Sequence, residues 1–236
     1  MMVATEVRKY VDDLNEGSLF RYEDLKKISD NKMAIAKILS RLTKEKKIDR
    51  IEKGLFYKPK VTRFGKLNPN IEKIIKAELK KENRFIGYIS GDFIYNKLGL
   101  TTQIPKVIEV MTEKRKPTKI IGGVKIKYTQ KFMKFTKKNI EYFQILDALK
   151  NIKKIPDSKI EENYEILKEV IKELENKNKL LELSLKYTPQ TRALTGAILS
   201  EVSDLDLSEI EKSLNSFTKF KLDIKNIKEK RRWNII

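Results

Sequence analysis

The chain has 236 residues, 40% hydrophobic and 36% charged, with 52 Lys and Arg against 33 Asp and Glu, a net charge of +19 and a pI near 9.7. That composition supports a real core and suits an anionic partner such as nucleic acid, an anionic membrane or an acidic protein, although a solvated lysine coat gives the same totals. Cysteine and histidine are both missing, which excludes disulfide frameworks, thiolate and histidine metal sites and histidine-based triads. No apolar run reaches the roughly 20 residues of a membrane span, and the N-terminus lacks the apolar stretch of a signal peptide. A cytoplasmic protein with no cofactor and no membrane partner is expected.

Val3, Val7, Tyr10, Val11 and Leu14 fall at helical spacing and predict a first helix, ended by Asn15-Glu16-Gly17-Ser18. Tyr22 to Ile28 predicts a short second helix with Leu25 and Ile28 inward. Ser29-Asp30-Asn31 breaks it and caps a third helix from about Asn31 to Lys46. There Ile35, Ile38, Leu39 and Leu42 form an apolar stripe, and Lys32, Met33, Ala36, Lys37, Ser40, Arg41 and Lys44 face the other way. Small and basic residues on one face suit a helix in a DNA major groove, where Arg and Lys reach guanine edges or phosphates and Ser bonds phosphate. An ordinary solvated face has the same residue types. Ile48 to Ile51 then alternates like a strand, Glu52-Lys53-Gly54 turns, and Leu55-Phe56-Tyr57 predicts a second strand stopped by Pro59. Three helices and a hairpin in this order make a winged helix-turn-helix over residues 1–64. Its candidate DNA-binding set is Lys32, Lys37, Ser40, Arg41, Lys44, Arg50, Lys53, Tyr57 and Lys58, with the hairpin cations on phosphates.

Residues 65–138 predict a small basic α+β domain. Asn68-Pro69 opens a helix carrying Ile71, Ile74, Ile75 and Leu79, and Phe85 to Ser90 is strand-like. Gly91-Asp92 leads a short helix ended by Gly99. Strands follow at Val107–Thr112, Lys119–Ile121 and Val124–Tyr128, the last two joined by Gly122-Gly123, a hairpin signal. Most of the charge excess lies here: residues 66–140 hold 18 Lys and Arg against 6 Asp and Glu, net +12, whereas residues 1–65 hold 16 against 10, net +6. The acids Glu72, Glu78, Glu82, Asp92, Glu109 and Glu113 have no metal-binding spacing, so a Mg-dependent nucleic-acid enzyme is the weaker alternative and no catalytic or metal residue is assigned.

Residues 139–236 predict a helical domain, with helices at 139–150, from Asp157-Ser158 to about 176, at 178–185 either as a continuation of that helix or as a separate short one, and at 190–202 and 206–214. Residues 141–236 hold 18 Lys and Arg against 17 Asp and Glu, a balance that favours protein contact or scaffolding over DNA binding. Arg192, beside Ala193, Gly196 and Ala197, is expected to pair with a carboxylate in a close helix contact, and Trp233 to pack onto the body.

Several runs resemble AbiEi-like antitoxins of abortive-infection toxin–antitoxin systems. In the first segment these are Leu19-Phe20, Leu39-Ser40-Arg41-Leu42 and Ile51-Glu52-Lys53-Gly54-Leu55-Phe56-Tyr57-Lys58-Pro59, where Phe56 stands in for a usual tyrosine. Leu98-Gly99-Leu100-Thr101-Thr102-Gln103-Ile104-Pro105 is similar to a signature of one branch of that family. Pro189 to Leu199 and Ser213 to Lys221 resemble two further segments, with Ser216 and Phe220 replacing a usual proline and tyrosine. The resemblance implies a non-enzymatic antitoxin and autorepressor that binds inverted repeats in its own promoter, as a dimer on DNA. It also implies a cognate nucleotidyltransferase-like toxin, neutralised with or without direct binding; the dimer on DNA is the expectation if two protomers share one repeat, and the residues leave the oligomeric state open. A stand-alone winged-helix regulator is the alternative within the same fold.

Overall fold

The apolar spacing of the first 60 residues closes on one small core. Val7 and Val11, Phe20, Leu25, the stripe Ile35, Ile38, Leu39 and Leu42, then Ile48 and Phe56 are all buried together. A computed structural model of the chain describes residues 2–63, 65–67, 69–81, 84–121 and 123–236. It is a mixed α+β protein with small antiparallel sheets. In chain order its elements begin α1 (Met2–Asp13), β1 (Leu19–Arg21), a 3-10 turn (Tyr22–Leu25), α2 (Lys32–Lys44), β2 (Asp49–Glu52), β3 (Leu55–Tyr57), β4 (Val61–Thr62), β5 (Gly65–Lys66) and α3 (Ile71–Leu79). The strands β6 (Lys80–Lys81), β7 (Arg84–Phe85) and β8 (Gly87–Ser90) follow, then α4 (Asp92–Lys97), β9 (Val107–Thr112), β10 (Lys119–Ile121) and β11 (Val124–Gln130). The helices α5 (Ile140–Asn151), α6 (Ile160–Lys172), α7 (Lys177–Ser184), α8 (Pro189–Val202) and α9 (Ser208–Lys212) complete the chain. Among the described residues no helix is long and apolar enough to cross a membrane.

The chain divides into two compact units, Met1–Lys80 with Lys119–Ile126, and Lys81–Thr118 with Lys127–Ile236. In the first unit a three-stranded antiparallel sheet has the order β1-β3-β2. Leu19 pairs with Tyr57 and Arg21 with Leu55, while Asp49 pairs with Tyr57 and Glu52 with Leu55. The Phe20 and Phe56 rings stack at 5.6 Å, and Tyr22 meets Phe56 edge-on at 5.4 Å. Offset and edge-on aromatic pairs of this kind stabilise beyond their buried area.

Tyr22 to Ile28 is not an α-helix but a single 3-10 turn, Tyr22–Leu25. The preceding Leu19–Arg21 is claimed by the sheet, Asp24 turns back to accept from the Arg21 amide at 2.7 Å, and the Leu25 carbonyl takes both the Ile28 and Ser29 amides. The Asp24 contact caps the start of the 3-10 turn, and the chain runs on to Ser29 in a further hydrogen-bonded turn without becoming a regular α-helix. The expected helix opening at Asn68 lies outside the described residues. Asn70 caps α3, its side chain accepting from the Lys73 amide. Gly122 of the expected two-glycine turn, and Glu82 among the candidate acids, likewise lie outside them. Gly123 is described and takes φ +81°, as a tight hairpin turn requires.

The second unit is built around α5 and α8, which are buried on nearly every side, the mark of core helices rather than amphipathic surface ones. Pro189 starts α8 at a position where its missing N–H costs nothing. Gly99 ends α4 at φ +77°, with its amide on the Asn96 carbonyl and that of Leu100 on Tyr95. In the same turn Thr101 Oγ1 accepts from the Gln103 amide, and the Asn96 amide group reaches the Thr101 carbonyl. The run from Leu98 to Pro105 is thus used for turn chemistry. Trp233 is fully buried and lies flat over α8. A Cβ on Gly196 would come within 2.1 Å of its ring, so only glycine admits the indole there. Among the described residues Arg192 forms no ion pair with a carboxylate of the kind expected, and its Nε is buried with no hydrogen-bond partner there.

Candidate nucleic-acid interface

The geometry of α2 follows from its caps and its stripe. Asn31 accepts from the Ala34 amide at 3.0 Å, satisfying one of the orphan donors at the helix start, and Ser29 Oγ accepts from the Asn31 amide. At the far end Arg8 of α1 grips Glu45 with two guanidinium bonds of 2.7 Å. With Ile35, Ile38, Leu39 and Leu42 turned into the core, a rotation of about 100° per residue places Lys37, Ser40, Arg41 and Lys44 on the opposite side, whereas Lys32, one turn before Ile35, sits at the edge of the stripe and not in the expected place across from it. All five are exposed, as is Met33.

The hairpin β2–β3 turns through Lys53-Gly54, with Gly54 at φ +83° and a bulge between Arg50 and Glu52. A Cβ on Gly54 would meet the Tyr22 ring at 3.3 Å, so the turn is both left-handed and close-packed. Arg50 and Lys53 are exposed. Glu52 beside them is engaged with Lys119 at 3.0 Å, and that same ammonium meets Glu78 at 2.9 Å. Lys119 therefore spends its charge inside the first unit, and the hairpin tip keeps its own.

Seven candidate residues are thus presented to solvent on two neighbouring elements. The other two are placed differently. Tyr57 is only 3% exposed, and its hydroxyl donates to the Leu67 carbonyl. Lys58 directs its ammonium to the carbonyls of Asp12 and Leu14, at 2.7 Å each. There it satisfies orphan acceptors at the C-terminal end of α1, a favoured place for a cation. Sequence patterning put both on the wing because the partners that claim them lie outside the hairpin, Leu67 beyond its end and Asp12 and Leu14 in the first helix.

The second unit holds a polar cluster that the sequence reading did not single out. Asp147 of α5 is 4% exposed. Its Oδ2 accepts from Tyr88 at 2.7 Å and Ser90 at 2.8 Å, and its Oδ1 from Tyr187 and the Lys131 ammonium, both at 2.8 Å. Lys131 also donates to the Tyr88 hydroxyl at 2.6 Å and sits over the rings of Tyr88, Phe143 and Tyr187. Burial lowers the Lys131 pKa, and Asp147 opposes the shift. Burial, and then the Asp147 charge, raise those of Tyr88 and Tyr187. Every polar atom of the carboxylate is used, so the cluster ties β8, α5 and the segment after β11 together. The signal for it was present: Asp147 lies between Leu146 and Ala148, one turn after Phe143, on the apolar side of its helix.

Fold and surface define the class first: an α+β chain whose first unit presents a capped helix and a hairpin with exposed cations. Residues 6–183 match the model described as Family of unknown function (DUF6088), and the chain belongs to that family. No curated protein matches the chain. Among the described residues no group of three or more His, Cys, Asp or Glu side chains is arranged to hold a metal ion.

Proposed function

We propose that the first unit is a winged helix that binds duplex DNA, with α2 as the recognition helix and β2–β3 as the wing. The carrying observation is that the cap, the buried stripe and the exposed Lys37, Ser40, Arg41 and Lys44 occur on one helix, with Arg50 and Lys53 on the adjoining hairpin. Arg41 and Lys37 reach base edges, Ser40 and Lys44 meet phosphates at the groove wall, and Arg50 and Lys53 hold the backbone. Lys32, at the first position of the helix, meets a flanking phosphate. Tyr57 and Lys58 support the wing from inside and are left out of the contact set. The reading departs from the usual layout in one respect, since a 3-10 turn takes the place of the middle helix.

On the resemblance to AbiEi-like antitoxins, the DNA is the chain's own promoter and the wider role is neutralisation of a co-encoded nucleotidyltransferase-like toxin. Two protomers on an inverted repeat would place half-sites about 34–36 Å apart, or a multiple of that. Two experiments separate these layers. Growth arrest by the neighbouring gene, relieved by this chain and by its Arg41→Ala variant alike, supports neutralisation as a task distinct from DNA reading. If the chain gives no relief while still binding its promoter, the antitoxin role fails and a stand-alone regulator remains.

A further inference from the structure

We propose that the segment leaving β11, residues 127–138, together with the turn after β9, forms a binding face for single-stranded nucleic acid, separate from α2. Residues 127–138 contain five lysines and no Asp or Glu. Side chains alternate along the exit: Lys131 turns inward to Asp147 and Phe135 is buried, whereas Phe132 is 88% exposed and Lys134 is exposed with it. The Lys131 amide bonds the Thr112 carbonyl at 2.9 Å, and Gln130 bonds that of Glu113 at 3.1 Å. These bonds set the exposed pair Lys114 and Arg115 beside the same exit. Lys127 meets Glu109 at 3.8 Å, and Glu113, the carboxylate nearest the Lys114–Arg115 pair in sequence, is held by Arg84 at 2.6 Å, so the positive sign of the face comes from the exposed Lys114, Arg115, Lys134, Lys137 and Lys138. Tyr128, half-buried, carries the Lys116 ammonium 5.3 Å above its ring.

An exposed ring among lysines matches the two needs of a single strand. Lysine ammonium groups are point charges that take phosphates without regard to sequence. A flat ring stacks on an unpaired base, whose face a duplex conceals. An acidic protein would use the cations and leave Phe132 without a planar partner. The face also accounts for much of the +12 of residues 66–140, which the α2 reading leaves unused.

The test is fluorescence anisotropy of the full chain with labelled oligouridylate and oligothymidylate of roughly 15 nucleotides, the matching duplexes, and polyglutamate as competitor. Single strands should bind with an affinity that falls as salt rises. Phe132→Ala should weaken them about tenfold, and Phe132→Trp should restore binding, because stacking scales with the ring. Lys114→Glu with Lys134→Glu should remove most of the affinity and flatten the salt dependence. Arg41→Ala should leave single-strand binding unchanged, which keeps this face distinct from α2. Absent single-strand binding, indifference to Phe132→Ala, or duplexes bound as tightly as single strands would overturn the proposal. Displacement by polyglutamate with no sensitivity to Phe132 would assign the face to an acidic protein instead.

Discussion

Asp147 is the residue on which the second unit turns. A carboxylate this deeply buried is tolerable only because Tyr88, Ser90, Tyr187 and Lys131 occupy its oxygens. Removing one charge strands the other in a low-dielectric site. Lys131→Met is therefore expected to cost about 3–5 kcal/mol of unfolding free energy, read as a lower urea midpoint at unchanged slope. The double change Lys131→Met with Asp147→Leu should recover much of that loss, since a buried pair replaced by apolar groups is often neutral or better. Gly196 sets a second limit. With Trp233 where a Cβ would sit, Gly196→Ala is expected to cost about 3 kcal/mol by overpacking. A tryptophan fluorescence shift toward that of exposed indole would show that the ring had been expelled.

At the scale of elements, what could be read in advance was what is local. The stripe of α2, its cap, the Lys53-Gly54 turn and the strand Val107–Thr112 each carry their own periodicity or turn residue, and each is found in place. What could not be read was set by distant partners. Leu19–Arg21 is too short to announce itself as a strand, yet pairs with β3. Tyr57 and Lys58 look like wing residues until Leu67 and the end of α1 claim them. The same distinction predicts opposite phenotypes for two hairpin lysines. Lys53→Ala should weaken binding to all duplexes alike and lower the salt slope by about one unit, with stability unchanged. Lys58→Ala should cost about 1 kcal/mol of stability through the lost cap on α1 and leave the salt slope unchanged. Reversal of this pattern, with Lys58 rather than Lys53 governing the slope, would move the contact surface to the other side of the hairpin.

Over the whole molecule, charge is unevenly used, and titration should expose this. Burial first, and a neighbouring carboxylate second, hold three phenols above their ordinary 10.0: Tyr88 and Tyr187 beside Asp147, and Tyr164 of α6, whose hydroxyl donates to Glu201 of α8. A raised acid pKa in the folded state means that the unfolded chain loses these protons first. The contribution to stability is full below pH 10.0 and lost progressively as pH rises above it. Lys131 acts in the opposite sense: its lowered pKa makes folding more favourable as pH climbs toward 10.5. Spectrophotometric titration should therefore show a group of phenols that ionise only on alkaline unfolding, and a chain whose tyrosines all titrate near 10.0 while folded would refute the buried cluster. The central claim concerns the first unit, that α2 reads DNA. The measurement that tests it most directly is a footprint of the full chain on the DNA upstream of its own gene, compared with Arg41→Ala. A protected inverted repeat with half-sites about 34–36 Å apart or a multiple of that, lost or blurred at one or two base pairs by a change worth about 1–3 kcal/mol, is the predicted result. No protection, or an unaltered footprint with Arg41→Ala, would contradict the assignment of α2 as the reading helix.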